Sequence, residues 1–97
     1  MLTSKQRAQL RAIANGEDTI VYIGKSGVTE NVVKQAADAL KAREIIKCKV
    51  QENSLLTARE ACDELAEKIG AEGVQVLGNR FVIYKRNDED PKIKLVK

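Results

Sequence analysis

One short segment of this sequence has the residue types for holding a phosphate: Gly24, Lys25, Ser26 and Gly27. The segment stands between an apolar run of strand length and a helix-start signal at Thr29. A loop free of large side chains lets an anion approach the backbone, and the free N–H groups of a helix N-terminus attract it. Lys25 adds a mobile positive charge. The spacing therefore predicts a turn that grips the backbone of a nucleic acid.

The Gly-x-x-Gly pattern is weak by itself, because a chain with six glycines in 97 residues readily contains one by chance. A plain tight connection between a strand and a helix is the alternative interpretation. A second match, Gly70-Ala71-Glu72-Gly73, follows a predicted helix and carries an acid where a phosphate would need a donor. We interpret this second copy as a helix stop and turn.

Candidates for catalysis and metal binding are lacking in the sequence. The chain has no histidine, and Ser26 has only Lys25 nearby to take its proton. Cys48 and Cys62 lack the close pairing and the histidines of a zinc site, so each is expected to be a small buried hydrophobic residue. The sequence predicts a protein that is not an enzyme and that uses no cofactor or metal.

Length and composition predict one globular domain over residues 1–97, with 87–97 as a tail. No apolar run approaches the roughly 20 residues that span a bilayer, and the N-terminus lacks a signal-peptide pattern. We therefore expect a cytoplasmic protein without a membrane partner. The net charge is only +3, but residues 1–50 hold nine Lys or Arg against five acids. This excess suits a polyanionic partner, although a solvated surface explains it equally well.

Hydrophobic periodicity predicts three helices and four strands in the order α-β-α-β-α-β-β. The helices begin after Thr3, Thr29 and Thr57, and a Gly78-Asn79 turn joins the last two strands. The β-α-β passages imply parallel neighbours, and the final hairpin implies an antiparallel pair. We therefore expect an α/β (α+β) fold in which helices pack on a four-stranded mixed sheet.

Basic residues outside the apolar stripes are further candidates for phosphate contacts. Lys34 lies off the stripe of the second helix, and Lys47 and Lys49 alternate with apolar strand residues, so they point the same way. On the last strand Arg80 and Tyr84 share one face. Tyr84 then either stacks on an RNA base or packs under a helix with its hydroxyl at the rim, and the sequence leaves both open.

Several segments form an ordered set along nearly the whole chain. They are Leu2-Thr3 before a basic helix, 23–32, 43–50, 74–85 and the ending 91–95. This set resembles the bacterial YhbY-type, single-domain members of the CRM (chloroplast RNA splicing and ribosome maturation) family. The family's functional positions fall on Gly24, Lys25 and Gly27 for the loop, Thr29 and Glu30 for the helix start, and Lys47 for the basic strand residue.

The resemblance implies the same element order, a shape similar to the C-terminal domain of translation initiation factor three, and RNA binding. It also implies association with precursors of the large ribosomal subunit. Two positions depart from the family pattern. The turn Asn15-Gly16-Glu17-Asp18 replaces a stretch that contains His and Pro, and Cys48 replaces a valine.

The resulting hypothesis is a non-enzymatic RNA-binding protein that aids assembly of the large ribosomal subunit, with the rRNA of its precursor as partner. The predicted RNA-binding residues are Gly24, Lys25, Ser26, Gly27, Thr29, Lys34, Lys47, Lys49, Arg80 and Tyr84. One alternative is a protein-interaction module that docks on an assembly factor without touching RNA. A second alternative is an enzyme or a binder of small phosphorylated molecules, which lacks support from a Walker-type or dinucleotide motif.

Overall fold

The computed structural model describes residues 2–97 and contains three helices and four strands. The helices are α1 (Ser4–Asn15), α2 (Glu30–Arg43) and α3 (Ala58–Ile69); the strands are β1 (Thr19–Ile23), β2 (Ile45–Val50), β3 (Glu72–Leu77) and β4 (Arg80–Tyr84). Their order along the chain confirms the predicted order. Met1, the first residue of the predicted domain and of the N-terminal segment without a signal pattern, lies outside the described residues.

The four strands form one mixed sheet in the order β1-β2-β4-β3. β1 and β2 are parallel, as expected for strands joined through α2, whereas β2 with β4 and β3 with β4 are antiparallel. The predicted Gly78-Asn79 turn closes the β3–β4 hairpin, and Gly78 takes the left-handed φ of 63° that such a turn requires. The sheet therefore has the predicted mixed character.

Each helix begins at a threonine cap. The Thr3 and Thr57 side chains accept from the N–H groups of Gln6 and Glu60, and those two side chains accept the cap N–H in return. These two reciprocal pairs are capping boxes. Thr29 accepts from the Val32 N–H at 3.2 Å without such a return bond. The Thr29 N–H instead donates to the Gly27 carbonyl at 3.1 Å.

The two faces of the sheet carry separate apolar cores. Helices α2 and α3 cover one face, where Phe81 and Ile83 of β4 are fully buried among residues of both helices. Helix α1 covers part of the opposite face, where Leu10 packs with Val82 and Tyr84. The alternation of β4 residues between these two cores sets the direction of the side chains that stand in register with them on β2 and β3.

Residues 85–97 have no regular secondary structure but are fastened to the domain. The Gln9 side chain donates to the Lys94 carbonyl and accepts from the Val96 N–H, both at 2.8 Å, while Ile93 and Leu95 pack into the α1 core. Glu44, which is 0% exposed, takes a left-handed φ of 64° at the end of α2. It therefore sits where α2, β2 and the tail meet.

The Glu44 carboxylate satisfies three backbone donors of the tail. Its two oxygens accept from the N–H groups of Asn87 at 2.7 Å and of Lys92 and Ile93 at 2.6 Å. A buried carboxylate is costly unless hydrogen bonds replace its hydration, and these three bonds do so. The predicted tail is thus docked along the domain through a buried acid.

Both cysteines are buried free thiols, as predicted. No helix within residues 2–97 combines the length and the apolar character needed to cross a bilayer. The same range holds no group of three or more His, Cys, Asp or Glu side chains placed to bind a metal ion.

Candidate nucleic-acid interface

The predicted phosphate loop is a closed turn between β1 and α2. The Gly27 N–H donates to the Gly24 carbonyl at 3.0 Å, and the Thr29 N–H donates to the Gly27 carbonyl at 3.1 Å. Lys25 and Ser26 occupy the two central positions of the turn, and both are exposed. The lysine at the tip is therefore free to move toward a ligand.

Several backbone donors in this turn are unused. Within the described part of the chain, the N–H groups of Lys25, Ser26 and Val28 donate to no protein group, and neither do those of Glu30 and Asn31 in the first turn of α2. Such groups carry the positive end of the helix dipole. They provide the donors that an anionic oxygen needs, whereas the Glu30 side chain at the same helix start opposes an anion.

The two loop glycines are needed for different reasons. Gly27 has a φ of 73°, a conformation that L side chains rarely adopt. Gly24 has an ordinary backbone, and an added Cβ would lie 3.1 Å from Oε1 of Gln51, the flexible end of a side chain. Gly27 therefore shapes the turn, whereas Gly24 leaves room for the Gln51 side chain.

The loop borders an open cleft formed with the segment that precedes α3. On the side opposite the loop, the cleft is lined by Leu55, which is 91% exposed, by Leu56 and by Glu64. Glu64 pairs with Lys68 at 3.6 Å, so its charge is partly offset. This acid makes the α3 side of the loop less favourable to phosphate than the tip at Lys25.

The second Gly-x-x-Gly match has a different structure. Gly70 ends α3 in the left-handed conformation with a φ of 68°, which confirms the predicted helix stop. Gly73 lies on β3, where an added Cβ would be 3.1 Å from the Cys62 sulfur. The two copies of the pattern thus share glycine spacing but not a backbone geometry.

The ten predicted residues do not form one continuous patch. The five loop and cap residues lie together at the β1–α2 junction, and Lys34 is exposed on α2. Lys47, Lys49 and Arg80 instead point to the α1 side of the sheet, because their strand neighbours face the α2–α3 core. An RNA that touches all of these cations must pass around the end of the sheet near the loop.

Tyr84 is buried and does not belong to an exposed surface. It is 5% exposed in the α1 core, and its hydroxyl has no hydrogen-bond partner among the described residues. Burial, together with the nearby Glu44 carboxylate, raises the pKa of Tyr84. Base stacking needs an open ring face, so the stacking role predicted for Tyr84 does not fit its position; packing under a helix does.

Tyr22 is the exposed aromatic residue that sequence reasoning missed. It is 49% exposed and stands in register with Lys49 on the neighbouring strand. The signal was present in β1, because Val21 and Ile23 alternate with Tyr22 and their burial turns it outward. The predominantly apolar composition of the strand obscured that alternation.

The family of the chain follows from its match to a known domain. The sequence model of the CRS1/YhbY (CRM) domain matches residues 2–85, which include the loop, the three helices and the whole sheet. The chain belongs to this family. The predicted resemblance is therefore confirmed.

Relatives from several organisms have names that refer to RNA. Probable RNA-binding protein YqeI of Bacillus subtilis (strain 168) is 39% identical over 95 residues, which are 98% of this chain and 99% of that protein. An RNA-binding protein of Haemophilus influenzae is 32% identical over 94 residues, 97% of this chain and 94% of the relative. The solution structure of SAV1595 from Staphylococcus aureus is 41% identical, with a TM-score of 0.73 over 99% of this chain and 100% of that one. The CRM-family chain thus shares its fold with a solved structure.

Proposed function

We propose that this CRM-family chain is a non-catalytic RNA-binding protein that associates with precursors of the large ribosomal subunit and aids their assembly. The turn from Gly24 to Gly27 grips the rRNA backbone. The observation that carries the proposal is the set of unused N–H donors in that turn beside the exposed Lys25 side chain. The RNA-binding names of relatives that align over nearly the whole chain support it.

An RNA backbone fits this turn better than a small phosphorylated molecule does. Lys25 and Ser26 are exposed, and the residues that line the adjoining cleft include Leu55 and the acid Glu64 rather than converging cations. Small-molecule sites normally enclose most of their ligand. A polymer instead gains affinity from several separated phosphate contacts, to which Lys34 and Lys47 contribute. Such contacts position RNA without reading its bases.

The ribosomal part of the proposal rests on the resemblance to YhbY-type proteins, whose bacterial members associate with precursors of the large subunit. Backbone contacts alone give little sequence specificity, so the choice of rRNA comes from its folded shape or from neighbouring ribosomal components. A role on ribosomal precursors would be carried out in the cytoplasm, and we include that location in the proposal.

Reversing the charge at the loop tip tests the proposal. We expect Lys25→Glu to weaken binding to a fragment of large-subunit rRNA at least about tenfold, because it removes one phosphate contact and adds a repulsive charge. Binding is measured by fluorescence anisotropy at two salt concentrations, and folding is checked by thermal unfolding. Lys94→Glu is the matched control, because Lys94 is exposed on the tail, away from the loop. Equal affinities for the two variants would contradict the assignment of the loop.

The alternative role as a protein-docking module makes the opposite prediction. Binding to an assembly factor would survive both Lys25→Glu and high salt, since it would not depend on phosphate contacts. Sedimentation of the tagged protein in cell lysate separates the two cases. We expect the wild-type protein to migrate with precursor large subunits and Lys25→Glu to shift to the top of the gradient, whereas co-migration of both proteins would favour the docking module.

A further inference from the structure

A row of side chains crosses three strands on the α1 side of the sheet. Tyr22 of β1 pairs in register with Lys49 of β2, and Lys49 pairs with Arg80 of β4. Adjacent strands lie about 4.8 Å apart, so the three residues fall within about 10 Å. Lys47 lies two residues before Lys49 on the same face of β2. We call these four residues, Tyr22, Lys47, Lys49 and Arg80, the basic row.

The basic row lies on the half of the sheet that α1 leaves open. Leu10 of α1 packs with Ile45, Val82 and Tyr84, which occupy the other half of this face. In the open half, Arg80 is exposed, its neighbour Leu77 is 70% exposed, and Lys47 and Lys49 are partly exposed. The Tyr22 hydroxyl makes only a long bond of 3.4 Å to the Thr19 carbonyl of its own strand. The ring is thus held at the surface without packing into either core.

We propose that the basic row binds unpaired nucleotides of RNA, with one base stacked on the Tyr22 ring and the adjoining phosphates held by Lys49, Arg80 and Lys47. This inference rests on the proposed RNA-binding function and adds a second surface to it. Base–aromatic stacking tolerates any base, because every base has a π-face. The row therefore favours single-stranded or looped RNA over a regular duplex, whose bases are already stacked.

The position of Tyr22 links the basic row to the loop. Tyr22 stands two residues before Gly24, a distance of about 7 Å along the strand. An RNA strand held at the turn therefore passes directly over the open half of the sheet. This continuity accounts for cations on a sheet face that the loop alone does not need.

The charge pattern favours RNA over a protein partner. We consider the strand residues on this face that stand in register with Lys49 or with Lys47. None of them is acidic: they are Thr19, Tyr22, Lys47, Lys49, Gln75, Leu77, Arg80 and Val82. Tyr22 and Leu77 are the exposed large apolar side chains among them. A stable protein interface buries about 800 Å² on each partner and has an apolar centre, which one ring and one leucine hardly provide. A polyanion with planar bases matches both properties of the surface.

The first experiment compares Tyr22 variants on two probes, a short oligouridylate and a matched oligonucleotide with abasic central positions. We expect Tyr22→Leu to weaken binding of the oligouridylate at least about fivefold and Tyr22→Phe to retain it, because the ring is what stacks. On the abasic probe, wild type and Tyr22→Leu should bind equally. Tyr84→Phe is the matched control, because that ring is buried on the same side of the sheet.

A second measurement observes the ring itself. The chain has two tyrosines and no tryptophan, so Tyr84→Phe leaves Tyr22 as the single strong fluorophore. We expect the oligouridylate to shorten the fluorescence lifetime of this variant and the abasic probe to leave it nearly unchanged. A purely structural role for Tyr22 would not produce this difference between the probes.

The outcomes separate this inference from the proposed function. If Lys25→Glu loses RNA binding while Tyr22→Leu binds both probes as wild type does, the proposed role of the basic row is wrong and the assignment of the loop to RNA binding is retained. If the wild-type protein binds neither of the two probes nor any rRNA fragment, both proposals fail. If Tyr22→Leu instead dissociates a dimer seen in sedimentation, a second copy of the chain occupies the face and the RNA assignment is overturned.

Discussion

The loop glycines show how one motif contains two different physical demands. Gly27 has a positive φ that only glycine adopts without strain, whereas Gly24 has an ordinary backbone beside the Gln51 side chain. The motif pattern treats both positions as equivalent. The structure assigns the conformational demand to the second glycine, whereas the first has only a steric demand from the Gln51 side chain.

Alanine at each position should separate these two roles. We expect Gly27→Ala to lower the free energy of unfolding by about 1–2 kcal/mol, the cost of a left-handed alanine. Gly24→Ala should cost clearly less, since its Cβ meets only the movable end of Gln51. Urea denaturation of both variants gives the comparison. Similar losses of unfolding free energy in the two variants would contradict the assignment of the conformational demand to Gly27.

Among the elements, the junction of α2, β2 and the tail depends on Glu44. Its backbone ends α2 with an N–H bond to the Leu40 carbonyl at 2.7 Å, while its carboxylate holds the tail. In the sequence, Glu44 is one of 14 acidic residues, and no neighbouring residue indicates that it is buried. Its burial depends on the path of residues 87–93, and hydrophobic periodicity contains no information about that path.

Removing the Glu44 charge should loosen the tail. We expect Glu44→Gln to lower the free energy of unfolding by about 3 kcal/mol, since an amide places a donor among backbone donors and weakens charge-assisted bonds. Hydrogen exchange at the amides of Asn87, Lys92 and Ile93 should accelerate as well. Asp90→Asn serves as the control, because this exposed acid pairs only with Lys92 and should change stability by less than about 1 kcal/mol. Unchanged protection at those three amides would contradict the role of Glu44.

Local signals sufficed for the order of the elements, because caps, glycine stops and residue periods act within a few residues. They predicted α1 from Ser4, the helix stop at Gly70 and the Gly78 hairpin. They did not assign each helix to a face of the sheet, because apolar stripes do not identify their partners. Tyr84 was therefore left with two interpretations, and Tyr22 was passed over.

In the whole molecule, two separate cores share one sheet, and the buried thiols belong to the larger one. Burial, with a smaller effect of Cys62, raises the pKa of Cys48 from 9.0 to about 12. Burial and Asp63 raise the pKa of Cys62 from 9.0 to about 11. In the unfolded chain both thiols lose their protons near pH 9, whereas the folded chain retains them.

The stability of the fold should therefore fall in alkaline solution. A raised folded-state pKa gives stability that is complete below pH 9 and is lost as the pH rises toward 11 and 12. We expect the free energy of unfolding to decline over this window. The variant with Cys48→Ala and Cys62→Ala should decline less steeply, retaining the part due to Tyr84, whose pKa is also raised. Denaturant titrations with reducing agent across the window provide the measurement; parallel declines for the two proteins would exclude the thiols as the cause.

The fastening of the tail to α1 has a consequence for synthesis. The α2–α3 layer needs residues only as far as Ile83, whereas the α1 layer also takes Ile93 and Leu95 from the tail. During synthesis the α2–α3 layer can therefore assemble earlier, whereas α1, although it is made before α2 and α3, waits for Ile93 and Leu95. Until Leu95 emerges, α1 lacks part of its apolar packing.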